Sequence, residues 1–190
     1  LDFEQQIGYV AAVGGPTRAL RLSDTSSGYR VGVAYEVPEI ALRGQIIYRS
    51  ASDVGATGTL DNLLTGVTVN PAATGSATFP QSVEGRFQTG VAPGWLVYGS
   101  VKWTDWSVFD VLTYNATGMP ASLNFFWEDG WTVSGGVAHQ FNDWVAVTGS
   151  LTWDKGVGTG HDLQGSDVWT ISAGASLTPN ERVAIQGGVA

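Results

Sequence analysis

Apolar and polar residues alternate with a period of two through most of the chain, the spacing of strands that keep one face in an apolar medium. Tyr29, Val31, Val33, Tyr35 and Val37 alternate with Arg30, Gly32, Ala34 and Glu36. After Pro38 the pattern restarts as Ile40, Leu42, Gly44, Ile46 and Tyr48 against Ala41, Arg43, Gln45, Ile47 and Arg49. Comparable stripes run through Val83–Val91, Trp95–Trp103, Trp131–Val137, Val145–Trp153, Trp169–Leu177 and Val183–Val189. A weaker opening stripe carries Ile7, Tyr9, Ala11 and Val13. The pattern predicts about nine strands, each near the length that crosses a bilayer at a tilt.

Connections between these stripes alternate in length. Gly14–Gly28, Ser50–Phe79, Asp105–Ser122 and Asp154–Asp167 are long, polar and rich in Gly, Asp and Thr. Val37–Glu39, Ala92–Gly94, His139–Asp143 and Thr178–Glu181 read as tight turns. Up-and-down barrels of the outer membrane have short periplasmic turns and long external loops, which gives this alternation. On that reading the opening strand and the last strand both run toward the long loops. The strand count is then odd, and at least one more strand is needed to close the sheet.

Charge divides the two faces. Arg30, Arg43, Arg49, Glu84, Arg86 and Lys102 share the parity opposite the apolar stripe, and no apolar stripe contains a charge. Tyr29, Tyr48, Trp95, Trp103, Trp131, Trp153 and Trp169 stand at stripe ends. A charge-free band with aromatic residues at its rims is the pattern of a lipid-facing barrel wall. Trp95 follows a short turn and belongs to the periplasmic rim, whereas Trp103, Trp131 and Trp153 adjoin long loops and belong to the outer one. A soluble β-sandwich also alternates, but its outer face would carry many Lys and Glu, and its inner stripe would rarely end in Trp.

Composition agrees. The 190 residues include only 14% charged side chains, with 26 Gly, 8 Trp and no Cys. Nine Lys and Arg against seventeen Asp and Glu leave a net charge of −8, which argues against nucleic acid as a partner. No run of apolar residues is long enough for a membrane helix. The expected fold class is all-β, an up-and-down antiparallel transmembrane β-barrel, with residues 1–190 as a single domain.

Candidate chemistry is sparse. His139 falls in a tight turn and His161 in a long loop, and neither stands in a catalytic context. Asp154, Asp162 and Asp167 could hold a divalent cation with backbone carbonyls, but read more simply as a solvated acidic loop. No cofactor, metal or catalytic residue is expected. The polar parity offers Arg43, Arg49, Arg86 and Lys102, with Tyr98, as lumen residues that could meet a solute; Leu96 and Ile47 would line the same path. Each cation could also pair with Glu36 or Glu84, or attract an anionic head group.

Phe79-Pro80-Gln81-Ser82-Val83, then Trp95–Lys102, then Trp103-Thr104-Asp105-Trp106-Ser107-Val108-Phe109 resembles the outer-membrane long-chain fatty-acid transporter family (FadL/TodX-like). Asp129-Gly130-Trp131-Thr132-Val133, Asn142-Asp143-Trp144 and Asp167–Ala175 are similar to its succeeding strand starts. The resemblance begins near Gly28 and covers the family's later strands. It implies a barrel of about fourteen strands, with the N-terminal plug, the first strands and the last strand lying outside this sequence. It further implies passive uptake of hydrophobic or amphipathic molecules such as fatty acids across the outer membrane of a Gram-negative bacterium. Partners would be outer-membrane lipids and a hydrophobic solute, and oligomeric state is left open. The alternative function is a structural or adhesive barrel, or a general porin. A porin would want a wider, more charged lumen.

Overall fold

The computed structural model describes residues 2–10, 15–109, 111–115, 120–124, 126–159, 167–180 and 183–190. Numbered in chain order, the strands are β1 (Asp2–Val10), β2 (Gly15–Ser23), β3 (Arg30–Val37), β4 (Leu42–Arg49), β5 (Ser52–Asn62), β6 (Thr68–Phe79) and β7 (Ser82–Ala92). They continue with β8 (Trp95–Thr104), β9 (Val111–Asn115), β10 (Pro120–Asn124), β11 (Gly130–Asn142), β12 (Val145–Asp154), β13 (Val168–Asn180) and β14 (Val183–Val189). They form two antiparallel sheets in two compact units.

The larger sheet has eight strands in the order β14-β13-β12-β11-β8-β7-β4-β3. It is a meander, in which the eight stripes expected to be wall strands pair in succession, each with the next. The tight turns join β3 to β4, β7 to β8 and β11 to β12. The first holds a 3-10 turn over Pro38–Ile40 and then Ala41 in the left-handed region, at φ 50°. In the third, the Asn142 side chain accepts from the Trp144 and Val145 amides at 3.0 and 2.9 Å. β3 and β14 are the two edges, so these eight strands do not close on each other.

Register fixes which residues share a face, because paired residues point the same way. Tyr48 pairs with Val83, Val83 with Trp103, and Trp103 with Trp131. Further along, Val97 pairs with Val137, Val101 with Val133, Val147 with Ala175 and Leu151 with Ile171. All of these apolar residues share one face, and Lys102 and Arg86 lie on the other. Val101, Val147 and Ile171 are exposed, Ile171 by 76%, rather than packed against another sheet. Trp103, Trp131, Trp153 and Trp169 stand together at the long-link end, while Trp95 pairs with His139 at the tight-turn end.

Two expectations change. The opening stripe is not a ninth wall strand: β1 pairs with β2 in the other unit, and Ala11 and Val13 lie outside the described residues. Among the described residues the wall therefore has eight strands, an even number, and β3 starts at the same end at which β14 finishes. Nor are the long links merely loops. Gly14–Gly28, Ser50–Phe79 and Asp105–Ser122 contain β2, β5, β6, β9 and part of β10, which with β1 form a six-stranded sheet ordered β1-β2-β5-β6-β9-β10.

That second sheet has its own small core. Leu20 faces its register partner Leu60, both essentially fully buried, with Leu22, Val54, Ala56 and Ala73 around them and Phe79 packed against the cluster. Gly58 is required here, since a Cβ would come within 1.9 Å of the Arg21 carbonyl oxygen on the neighbouring strand. Phe79, Trp106, Phe109 and Trp127 form a second aromatic group in the same unit, with the Phe109 and Trp127 rings stacked at 5.4 Å.

Candidate functional site

The polar face of the eight-stranded sheet carries its charges in rows that run across the strands, taken in order from the long-link end. The first row across the strands is Arg30, Arg49, Ser82 and Thr104. The next is Gly32, Ile47, Glu84, Lys102, Thr132 and Asp154. Below it come Gln45, Arg86, Ser100, Ser134 and Thr152, and then Glu36, Arg43, Gln88, Tyr98, Gly136 and Ser150. Charge thins and side chains shrink toward β13 and β14.

The expected lumen cations separate into two kinds. Arg43 lies 3.1 Å from Glu36 on the paired strand, and Arg86 lies 2.7 Å from Glu84 on its own strand. Each is held by a carboxylate of its own hairpin or strand. Arg49 and Lys102 form no ion pair among the described residues, although the Glu84 carboxylate interacts with the charge of both. Arg30, which sequence reading leaves off the site, stands directly opposite Arg49. Three cations, Arg86, Lys102 and Arg49, thus act on one carboxylate, and that carboxylate is bonded to Arg86. Facing like charges on paired strands destabilise a sheet unless something anionic lies between them.

Tyr98 is fixed by geometry. Its hydroxyl lies 2.7 Å from the Thr148 Oγ1, two strands away, and its ring crosses β11 at Gly136. A Cβ on Gly136 would come within 2.5 Å of that ring, so the absent side chain makes the notch that Tyr98 fills. Ser100 and Ser134 share a hydrogen bond of 2.7 Å one row nearer the cations. Ile47, expected to line the path, is only 1% exposed and packs toward Gly32, whereas Leu96 is half-buried.

The rim at the long-link end carries a repeated contact that sequence reading misses. The Trp103 indole N–H donates to Asp129 at 2.9 Å, and the Trp153 indole N–H donates to Asp167 at 2.9 Å. Between β4 and β7 Tyr48 donates to Gln81 at 2.9 Å, and Gln81 donates on to Asp105 at 3.0 Å. In each case an aromatic residue that ends one strand is clasped by a residue two positions before its register partner on the next. The text Asp129-Gly130-Trp131 and Asp167-Val168-Trp169 is the available signal, but the ring being held belongs to the earlier strand. The second oxygen of Asp129 is buried without a hydrogen-bond partner, while Lys155 donates to the Asp129 carbonyl and to Glu128.

His139 stacks on Trp95 at 4.2 Å and its Nδ1 lies 3.1 Å from the Gly94 carbonyl oxygen, so it is part of the tight-turn rim. His161 and Asp162 lie outside the described residues. Asp154 accepts from Thr132 and Asp167 from Trp153. Among the described residues no three His, Asp or Glu side chains gather in a metal-binding group.

The family model for outer membrane protein transport proteins (OMPP1/FadL/TodX) matches residues 16–190. The fold is similar to the crystal structure of a Pseudomonas aeruginosa FadL homologue, with a TM-score of 0.76 and 15% identity. The likeness covers 90% of this chain and 44% of that one, so the chain spans less than half the length of that protein. No curated protein matches the chain.

Proposed function

The chain belongs to the OMPP1/FadL/TodX family of outer-membrane transport proteins, and from that premise we propose that its polar face guides anionic amphipaths, long-chain fatty acids among them, through the barrel interior. The observation that carries this reading is the pair Arg30 and Arg49, facing each other across β3 and β4 with Lys102 nearby and one already engaged carboxylate among them. A carboxylate head group supplies the missing anion and can accept two N–H bonds from a guanidinium. Below it, the small hydroxyls and then Tyr98 and Leu96 give the acyl chain a less charged surface. Arg43 and Arg86, each with its own carboxylate, serve the wall rather than the solute. Transport in this scheme is passive and uses no cofactor.

The test is uptake by the full-length protein carrying Arg30→Gln and Arg49→Gln. A hydrogen bond to a charged group contributes about 1.5–3 kcal/mol, so capture of a long-chain fatty acid should fall roughly ten- to a hundredfold. Uptake of an uncharged hydrocarbon should change little, since it has no head group to lose. Equal loss for both solutes, or no loss in a folded barrel, removes these arginines from the solute path.

A further inference from the structure

The apolar face of the eight-stranded sheet is not uniformly covered by side chains. At mid-height Gly44, Gly85 and Gly99 leave a groove of about 600 Å³, walled by Tyr35, Ile46, Phe87 and Val101 and lined almost wholly by carbon. That volume falls within the usual range of ligand pockets.

Two of these glycines are not needed by the backbone. A Cβ at Gly44 would meet nothing within 4 Å, and one at Gly85 would meet only the Val101 carbonyl oxygen at 4.0 Å. Neither has a positive φ. Glycine inside a strand loses more conformational freedom on folding than a residue with a side chain and packs nothing. What its use at both positions provides is space on the outward face.

Position identifies what fills the space. Gly99 is four residues from Trp95 at one rim and four from Trp103 at the other, so the groove sits at the middle of the apolar band. Polar head groups stay at the level of the rims, and the groove itself holds hydrocarbon. Backbone pairing beneath it is continuous from β4 through β7 and β8 to β11, so no solute crosses the wall at this point from the polar face. We propose that this groove is a binding site for one acyl chain of an outer-membrane lipid. The lipid's head lies at a rim and its chain is seated over Gly44 and Gly85.

The experiment compares lipid retained by the full-length protein after extraction in mild detergent and extensive washing, counted per barrel by mass spectrometry. Gly44→Ile with Gly85→Ile fills the groove, and Gly149→Ile adds the same side chain to the same face outside it, where the nearest heavy atom is 3.9 Å from the new Cβ. Displacing a few buried methylenes should lower tight retention roughly tenfold in the filled variant. The Gly149 variant should match the unaltered protein. Folding is read from the faster migration of unheated barrel on a gel. If the isoleucine pair does not fold, Gly44→Ala with Gly85→Ala should still give a smaller drop in the same direction. Equal retention in every variant, or an equal drop with Gly149→Ile, overturns the site. So does a retained free fatty acid in place of a membrane lipid, or a barrel dimer that the filled variant dissolves.

Discussion

Gly136→Ala is the sharpest perturbation of the polar face. The new Cβ would lie 2.5 Å from Cζ and the hydroxyl oxygen of Tyr98, and 2.6 Å from the Gly149 carbonyl oxygen on β12. Favourable contact between heavy atoms needs about 3.5–4.0 Å, so each overlap is close to an ångström. The Tyr98 ring can swing away, but the Gly149 oxygen belongs to a paired backbone. Forcing an extra methyl into such a site costs about 1–3 kcal/mol, and the displaced ring also gives up its bond to Thr148, worth about 1 kcal/mol. Tyr98→Phe alone loses only the bond. In the Gly136→Ala background it should cost nothing more, because the bond is already gone. The two changes should therefore couple by about 1 kcal/mol. Urea unfolding of the full-length protein from lipid vesicles, followed by tryptophan fluorescence, measures all four corners of the cycle. Additive costs would refute the placement of Tyr98 in the Gly136 notch.

Two further outcomes follow from the rims. Trp103→Phe should destabilise by about 1–3 kcal/mol, because it leaves the partly buried Asp129 carboxylate without its donor; Trp153→Phe should cost less, since Asp167 is exposed, and the same unfolding assay ranks the two. Ala41→Gly should stabilise by about 0.5–1 kcal/mol, because Ala41 sits at φ 50°, and should raise the urea midpoint without changing the slope.

The eight wall strands were legible because bilayer and lumen impose opposite demands on alternate residues, and large side chains such as Val, Ile and Trp report that demand clearly. The six-stranded sheet was hidden for the converse reason. Its buried residues include Ala56 and Ala73, which barely register as hydrophobic, and the adjacent Ala19 and Leu20, which break the period. Pro71 inside β6 also reads as a strand breaker. The opening stripe was visible, but its partner was not: pairing β1 with β2 is a long-range choice that periodicity does not encode. The site divides in the same way. Confinement of the cations to one parity was legible, whereas the opposition of Arg30 and Arg49, and the pairing of Arg43 with Glu36 across β3 and β4, depend on register.

Glycine shows most plainly how one residue type serves the two faces of this wall differently. On the polar face Gly136 is obligatory, because a tyrosine ring and a neighbouring carbonyl already occupy the place of its side chain. On the apolar face Gly44 and Gly85 have open space where a side chain would go, and the backbone there asks for nothing special. The first is filled from within the protein and stiffens it, by tying β8 to β12 through Tyr98 and Thr148. The second is unfilled by the protein, at a depth where only hydrocarbon is present to fill it. An alternation that looks uniform in sequence thus encodes a rigid, hydrogen-bonded interior surface and an exterior surface shaped for lipid.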